Sequence, residues 1–143
     1  MAKKDTKKET KKAPAKPASA KAPAGKKGKK ILIVEDERPL AHALELKFSH
    51  EGYDITIATD GAEGLKVANA GSFNMILLDL IMPQMDGFTF MEQLKKKTPV
   101  IILSNLGQDE DKERAKQLGA VDYFVKSNTP ITEIIKKVKA SIK

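Results

Sequence analysis

The sequence predicts an α/β domain on a doubly wound, five-stranded parallel sheet with five helices, and three observations carry that prediction. Five short apolar runs alternate with five segments of helical apolar spacing. The runs around Ile31, Ile76 and Ile101 are almost uninterrupted, as strands buried on both faces are. The connections are short, and βα units with right-handed crossovers bring every strand exit to one edge of the sheet.

The ordered part is expected at 30–143, preceded by an arm at 1–29. The arm is dominated by Lys, Ala, Pro, Thr and Gly and has no Ile, Leu, Val or aromatic residue, so it cannot bury enough surface to offset its ordering entropy, and disorder is expected. Residues 1–30 hold 12 of the 26 Lys and Arg and 2 of the 19 acids, leaving 14 bases against 17 acids and a body charge of −3. Basicity therefore belongs to the arm, read either as a solubiliser or as a polybasic segment in weak contact with nucleic acid.

Lys30 to Val34 is the first strand and stops at Glu35 and Asp36. Arg38-Pro39 opens a helix with an apolar stripe through Leu40, Ala43, Leu44, Leu46, Lys47 and Phe48 to about Glu51, and Gly52 ends it. Tyr53 to Ala58 alternates at period two and reads as a strand nearer an edge. Gly61 to Ala70 is the second helix, Asn74 to Leu78 the third strand, and Phe88 to about Lys97 the third helix. Pro99 to Leu103 is a strand ending at Ser104, followed by a polar helix from Asp109 to Leu118 whose apolar face is only Ala115 and Leu118. Val121 to Val125 ends at Lys126, and Thr129-Pro130 caps and opens the last helix, with Ile131, Ile134, Ile135, Val138 and Ile142 at helical spacing. His42 and His50 lack ligand spacing and read as structural.

Composition narrows the function. The chain has no Cys, hence no disulfide framework or thiolate chemistry, and no run near the ~18 apolar residues of a membrane span. No signal peptide is recognisable, and a cytoplasmic location is expected.

A lone Asp79 at a strand exit is read equally well as a turn cap or as a functional acid. Four exits with distinct chemistry, Glu35 with Asp36, then Asp79, Ser104 and Lys126, favour the second reading, since the topology places them on one edge. Three carboxylates in such a site repel and need a cation, and all-oxygen ligands select a hard ion such as Mg²⁺. A hard cation, an ammonium and a hydroxyl around one carboxylate suit phosphoryl transfer to that carboxylate. No Walker A loop is present in the ordered region, so a nucleotide substrate is not indicated.

The motifs Ile-Leu-Ile-Val-Glu-Asp-Glu and Leu-Leu-Asp-Leu-Ile-Met-Pro-Gln-Met-Asp-Gly, with Ser104 and Lys126, closely resemble those of response regulator receiver domains of two-component signalling, chemotaxis regulators included. The resemblance runs from about Lys30 to Lys143. It implies a flavodoxin-like fold with strand order 2-1-3-4-5. It further implies Asp79 as phosphoacceptor, and Mg²⁺ held by Asp36, Asp79, the Ile81 carbonyl and Glu35, the last directly or through water. Ser104 and Lys126 would contact the phosphoryl oxygens. Tyr123 matches the aromatic residue that, with Ser104, switches the face of the fourth helix, fifth strand and fifth helix; otherwise it reads as an edge-strand core residue.

The expected protein is a stand-alone phosphoacceptor and not an enzyme beyond Mg²⁺-dependent self-phosphorylation and self-dephosphorylation. Its partners would be a histidine kinase or phosphotransfer protein and a downstream protein, with no membrane, as a monomer or a phosphorylation-dependent dimer. The alternatives are a phosphorylation-independent binding module whose arm contacts nucleic acid and, last, a metal-dependent phosphatase. Two positions depart from the family pattern: Ser127 stands where proline commonly follows the lysine, which leaves the peptide isomer open, and Asn105 is larger than the usual small residue. Ile81 and Leu106 put apolar bulk beside the site, so a persistent phosphoryl group is expected.

Overall fold

The computed structural model describes residues 28–142; apart from Gly28 and Lys29, the predicted arm lies outside the described residues. The elements are β1 (Lys30–Val34), α1 (Arg38–His50), β2 (Asp54–Ala58), α2 (Gly61–Ala70), β3 (Met75–Leu78), α3 (Gly87–Gln93), β4 (Val100–Ser104), α4 (Asp109–Gln117), β5 (Ala120–Val125) and α5 (Ile131–Ser141), with a 3-10 turn at Lys126–Asn128. All strand pairs are parallel in the order β2-β1-β3-β4-β5, as the resemblance implied.

The uninterrupted apolar runs follow from two-sided burial. Ile31, Ile33, Met75, Leu77, Ile101 and Leu103 pack with Leu44 and Phe48 of α1 and Ile134 and Val138 of α5. The alternate residues Leu32, Val34, Ile76, Leu78, Val100 and Ile102 pack on the other face with Ala68 of α2, Phe88 and Phe90 of α3 and Ala115 of α4. Period-two alternation thus divides each central strand between two cores. β2 and β5 lie at the edges and bury less.

Three local expectations are corrected. The third helix ends at Gln93, not near Lys97, because Leu94 turns extended and the Lys95 N–H donates to Asn69 Oδ1 at 2.8 Å. Lys95, Lys96 and Lys97 offer no apolar face to hold another turn. Thr129 does not cap α5: Pro130 occupies the N-cap position, and the Thr129 hydroxyl donates to the Val125 carbonyl at 2.9 Å. β5 starts at Ala120 and slips by one residue at Val121, which stands exposed.

α4 buries only Ala115. Its attachment to α3 is supplemented by Arg114, whose guanidinium lies 4.2 Å from the Phe88 ring centroid and 3.5 Å from a Glu92 carboxylate oxygen.

Candidate functional site

The parallel ladder carries the site to the carboxyl edge of the sheet. The Glu35 N–H bonds the Ala58 carbonyl and the Asp79 N–H bonds the Val34 carbonyl, both at 3.0 Å, so the first residues beyond β1 and β3 remain anchored to the strands beside them. Glu35, Asp79 and Ser104 are buried, whereas Asp36 faces solvent. The β3–α3 loop returns tightly past this edge. A Cβ on Gly87 would stand 2.8 Å from the Asp79 carbonyl oxygen, so a side chain there would displace the loop from the strand exit. Asp86 caps α3 by accepting from the Thr89 N–H at 2.9 Å.

Lys126 is the centre of the arrangement. Its Nζ lies 2.9 and 3.0 Å from the two Glu35 carboxylate oxygens, 3.0 Å from Asp79 Oδ2 and 3.2 Å from Glu37 Oε1. The remaining Asp79 oxygen, Oδ1, accepts the Ile81 N–H at 3.1 Å, and Glu35 Oε2 accepts the Glu37 N–H at 2.9 Å. Burial pushes Glu35 up to about 7, assisted by the Asp79 charge and opposed by its bonds to Lys126 and Glu37. Burial alone would lower Lys126, yet its bonds to Glu35 and Asp79 outweigh that and hold it above the ordinary lysine range, so it stays charged.

One carboxylate oxygen from each of Glu35, Asp36 and Asp79 falls within 4.8 Å of the others. All-oxygen donors at this spacing suit a hard divalent cation after small side-chain shifts. Glu35 and Asp79 each already bond Lys126 and a backbone N–H, so among the three the exposed Asp36 is the one whose carboxylate has no such bond among the described residues.

On the β4 side, the Leu106 peptide joins two predicted residues. Its N–H donates to Ser104 Oγ at 3.3 Å, and its carbonyl accepts from the Tyr123 hydroxyl. Burial raises the Tyr123 phenol to about 12, with the Asp111 and Asp79 charges adding, so it remains a donor. The two departures from the family pattern meet each other: Asn105 Oδ1 accepts the Ser127 N–H at 3.1 Å. Among the described residues no peptide bond is cis, which answers the question left open at Lys126–Ser127. Ile81 is 56% exposed beside the site and Leu106 is half-buried.

The predicted Glu35, Asp36, Asp79 and Lys126 thus come together directly, while Ser104 and Tyr123 are linked through Leu106. Two contacts escaped prediction. Glu37 was visible as the third acid of Glu-Asp-Glu, but nothing local distinguishes it from a solvated helix-start residue. The Asn105–Ser127 bond spans 22 residues of sequence and has no local signature.

A family description, response regulator receiver domain, matches residues 31–139. Response regulator ArlR of Staphylococcus saprophyticus is 39% identical over 116 residues, covering 80% of this chain and 52% of that protein. The chain spans about half the length of the first curated relatives it matches. Among solved structures, the Francisella response regulator 1452 receiver domain superposes with a TM-score of 0.73 at 35% identity, covering 79% of this chain and 95% of that one. Response regulator TrrA of Thermotoga maritima, solved in complex with Mg²⁺ and BeF, gives a TM-score of 0.69 at 30% identity, covering 78% and 97%. Among the described residues no helix is long and apolar enough to cross a membrane.

Proposed function

Because the chain belongs to the response regulator receiver domain family of two-component systems, we propose that Asp79 is its phosphoacceptor, supplied by a histidine kinase or phosphotransfer protein. The observation that supports this best is the Lys126 ammonium held 3.0 Å from Asp79 Oδ2, in a pocket where Glu35 and Asp36 complete a carboxylate cluster. Mg²⁺, when bound by Asp36, Asp79, the Ile81 carbonyl and Glu35, would neutralise charge on the phosphoryl oxygens.

The residues divide the remaining work. An Asp79 carboxylate oxygen attacks phosphorus and forms the O–P bond, while the donor's bond to phosphorus breaks and its electron pair leaves with the donor. Lys126 exchanges part of its contact with Asp79 and Glu37 for a phosphoryl oxygen, and the Ser104 hydroxyl donates to another. The added charge of about −2 draws Ser104 toward the site. Its bond with Leu106 passes that displacement to the carbonyl holding Tyr123. The face of α4, β5 and α5 would then bind a downstream protein or a second copy. The same site performs self-phosphorylation from small donors and self-dephosphorylation, which the reading places in the cytoplasm.

Incubation with acetyl phosphate and Mg²⁺ tests the assignment by intact mass. Wild type gains one phosphoryl group, and Asp79→Asn gains none. An equal gain in both removes Asp79 from the role, and no gain in wild type favours the phosphorylation-independent module. Nucleic-acid contact by the arm rests on the 12 Lys against 2 acids in residues 1–30. Equal DNA affinity in the full chain and a chain starting at Lys30 would eliminate it.

A further inference from the structure

α1 and α5 enclose a groove of about 590 Å³ that the phosphoacceptor site does not use. Leu46, expected on the apolar stripe of α1, is instead 71% exposed and gives it apolar surface above the buried Ile135. Lys47 and Lys136 stand beside them without an acidic partner among the described residues. The acid lining the groove, Glu51, is held at 2.6 Å by Lys139. The groove is therefore apolar with a cationic rim, within a body that carries net negative charge.

Its position matters. α1 starts at the carboxyl end of β1 and runs back along the sheet, so its last turns, which carry Leu46 to Glu51, lie toward the edge opposite Asp79. The Gly28 N–H donates to the Gly52 carbonyl at 3.2 Å, which roots residues 1–27, with ten lysines and two acids, just beyond the end of α1. Like charge excludes that segment as the occupant. A polyphosphate backbone would satisfy the lysines but leave the exposed Leu46 without a partner. An amphipathic helix with apolar anchors and acidic flanks satisfies both.

We propose that the α1–α5 groove docks an acidic amphipathic helix of a partner protein, whatever the phosphorylation state of Asp79. The full chain provides a second, constitutive attachment point, separate from the face that phosphorylation would alter.

The test titrates full-length protein with a fluorescein-labelled helical peptide carrying leucines at i, i+4 and i+7 and glutamates elsewhere. Anisotropy gives the affinity, and methyl NMR shifts of Leu46 and Ile135 report the location. Binding should shift both methyls and weaken at least tenfold in Leu46→Asp and in the double variant Lys47→Glu/Lys136→Glu. It should be unchanged in Asp79→Asn, a result independent of whether Asp79 is the phosphoacceptor. Circular dichroism checks that the variants, all altered at exposed positions, remain folded. The proposal is overturned by absent binding, by binding insensitive to these substitutions, or by a 20-base-pair duplex or phosphatidylglycerol vesicles displacing the peptide while shifting the same methyls.

Discussion

Replacing Glu35 with glutamine should remove a pH dependence of stability imposed by the native carboxyl. Glu35 is 1% exposed, and burial together with the Asp79 charge raises its pKa from 4.5 to about 7. A group protonated more readily in the folded state contributes stability that is full below its unfolded pKa and is lost as pH rises through its folded pKa. Between pH 5.5 and 8 the full shift corresponds to about 2 kcal/mol, and water at the mouth of the site screens this to about 1–2 kcal/mol. Urea unfolding followed by circular dichroism in EDTA should show wild type losing that amount over this interval. Glu35→Gln should be nearly flat. Mg²⁺ should oppose the loss at high pH, because the cation binds deprotonated carboxylates. Parallel profiles for the two proteins, or a metal-free wild type more stable at pH 8 than at pH 5.5, would refute the reasoning.

Asn105→Ala removes the acceptor for the Ser127 N–H; this exposed bond is worth about 0.5–1 kcal/mol, so global stability should barely move. Beryllofluoride affinity in Mg²⁺ should nevertheless fall a fewfold as Lys126 is held less firmly, and an unchanged titration would rule the bond out as a positioning element. Arg114→Ala removes the contacts to Phe88 and Glu92, together worth about 1 kcal/mol. Hydrogen exchange should accelerate about fivefold in α4 and not in α1, whereas uniform protection would mean that Ala115 suffices as an anchor. Ile81→Asn should shorten the phosphoryl lifetime on Asp79 severalfold, measured as phosphate release, if the apolar side chain is what retards water. A wild-type lifetime as short as that of rapidly cycling receivers would contradict the expected persistence.

The strand exits were readable because each depends on a local contrast: a run buried on two faces, then a polar residue that the sheet edge leaves available. Ile31 to Val34 before Glu35, and Met75 to Leu78 before Asp79, show that contrast directly. Element ends that depend on distant partners were not readable. Leu94 is in phase with the apolar stripe of α3, yet the helix stops before it because Asn69, on α2, takes the next free N–H. Thr129 before Pro130 has the form of a cap, but the Val125 carbonyl at the end of β5 is the acceptor its hydroxyl reaches. Glu37 gained significance only when Lys126, from the other end of the chain, was placed 3.2 Å away.

The same reasoning changes the meaning of the two departures from the family pattern. Taken singly, Ser127 in place of proline exposes an N–H that proline lacks, and Asn105 adds bulk beside Ser104. Taken together they are a donor and an acceptor at 3.1 Å, joining the loop after β4 to the turn that begins with Lys126. The Tyr123 hydroxyl, bonded to the Leu106 carbonyl, makes a second connection from β5 to the β4–α4 loop. Ser104, at the end of β4, also bonds Leu106, so the groups proposed to sense the phosphoryl oxygens are tied on both sides of Asn105. Moving Lys126 toward a phosphoryl group would therefore pull on the loop that carries Asn105 and Leu106. The two departures supply a mechanical connection between the ammonium and the hydroxyl of the site.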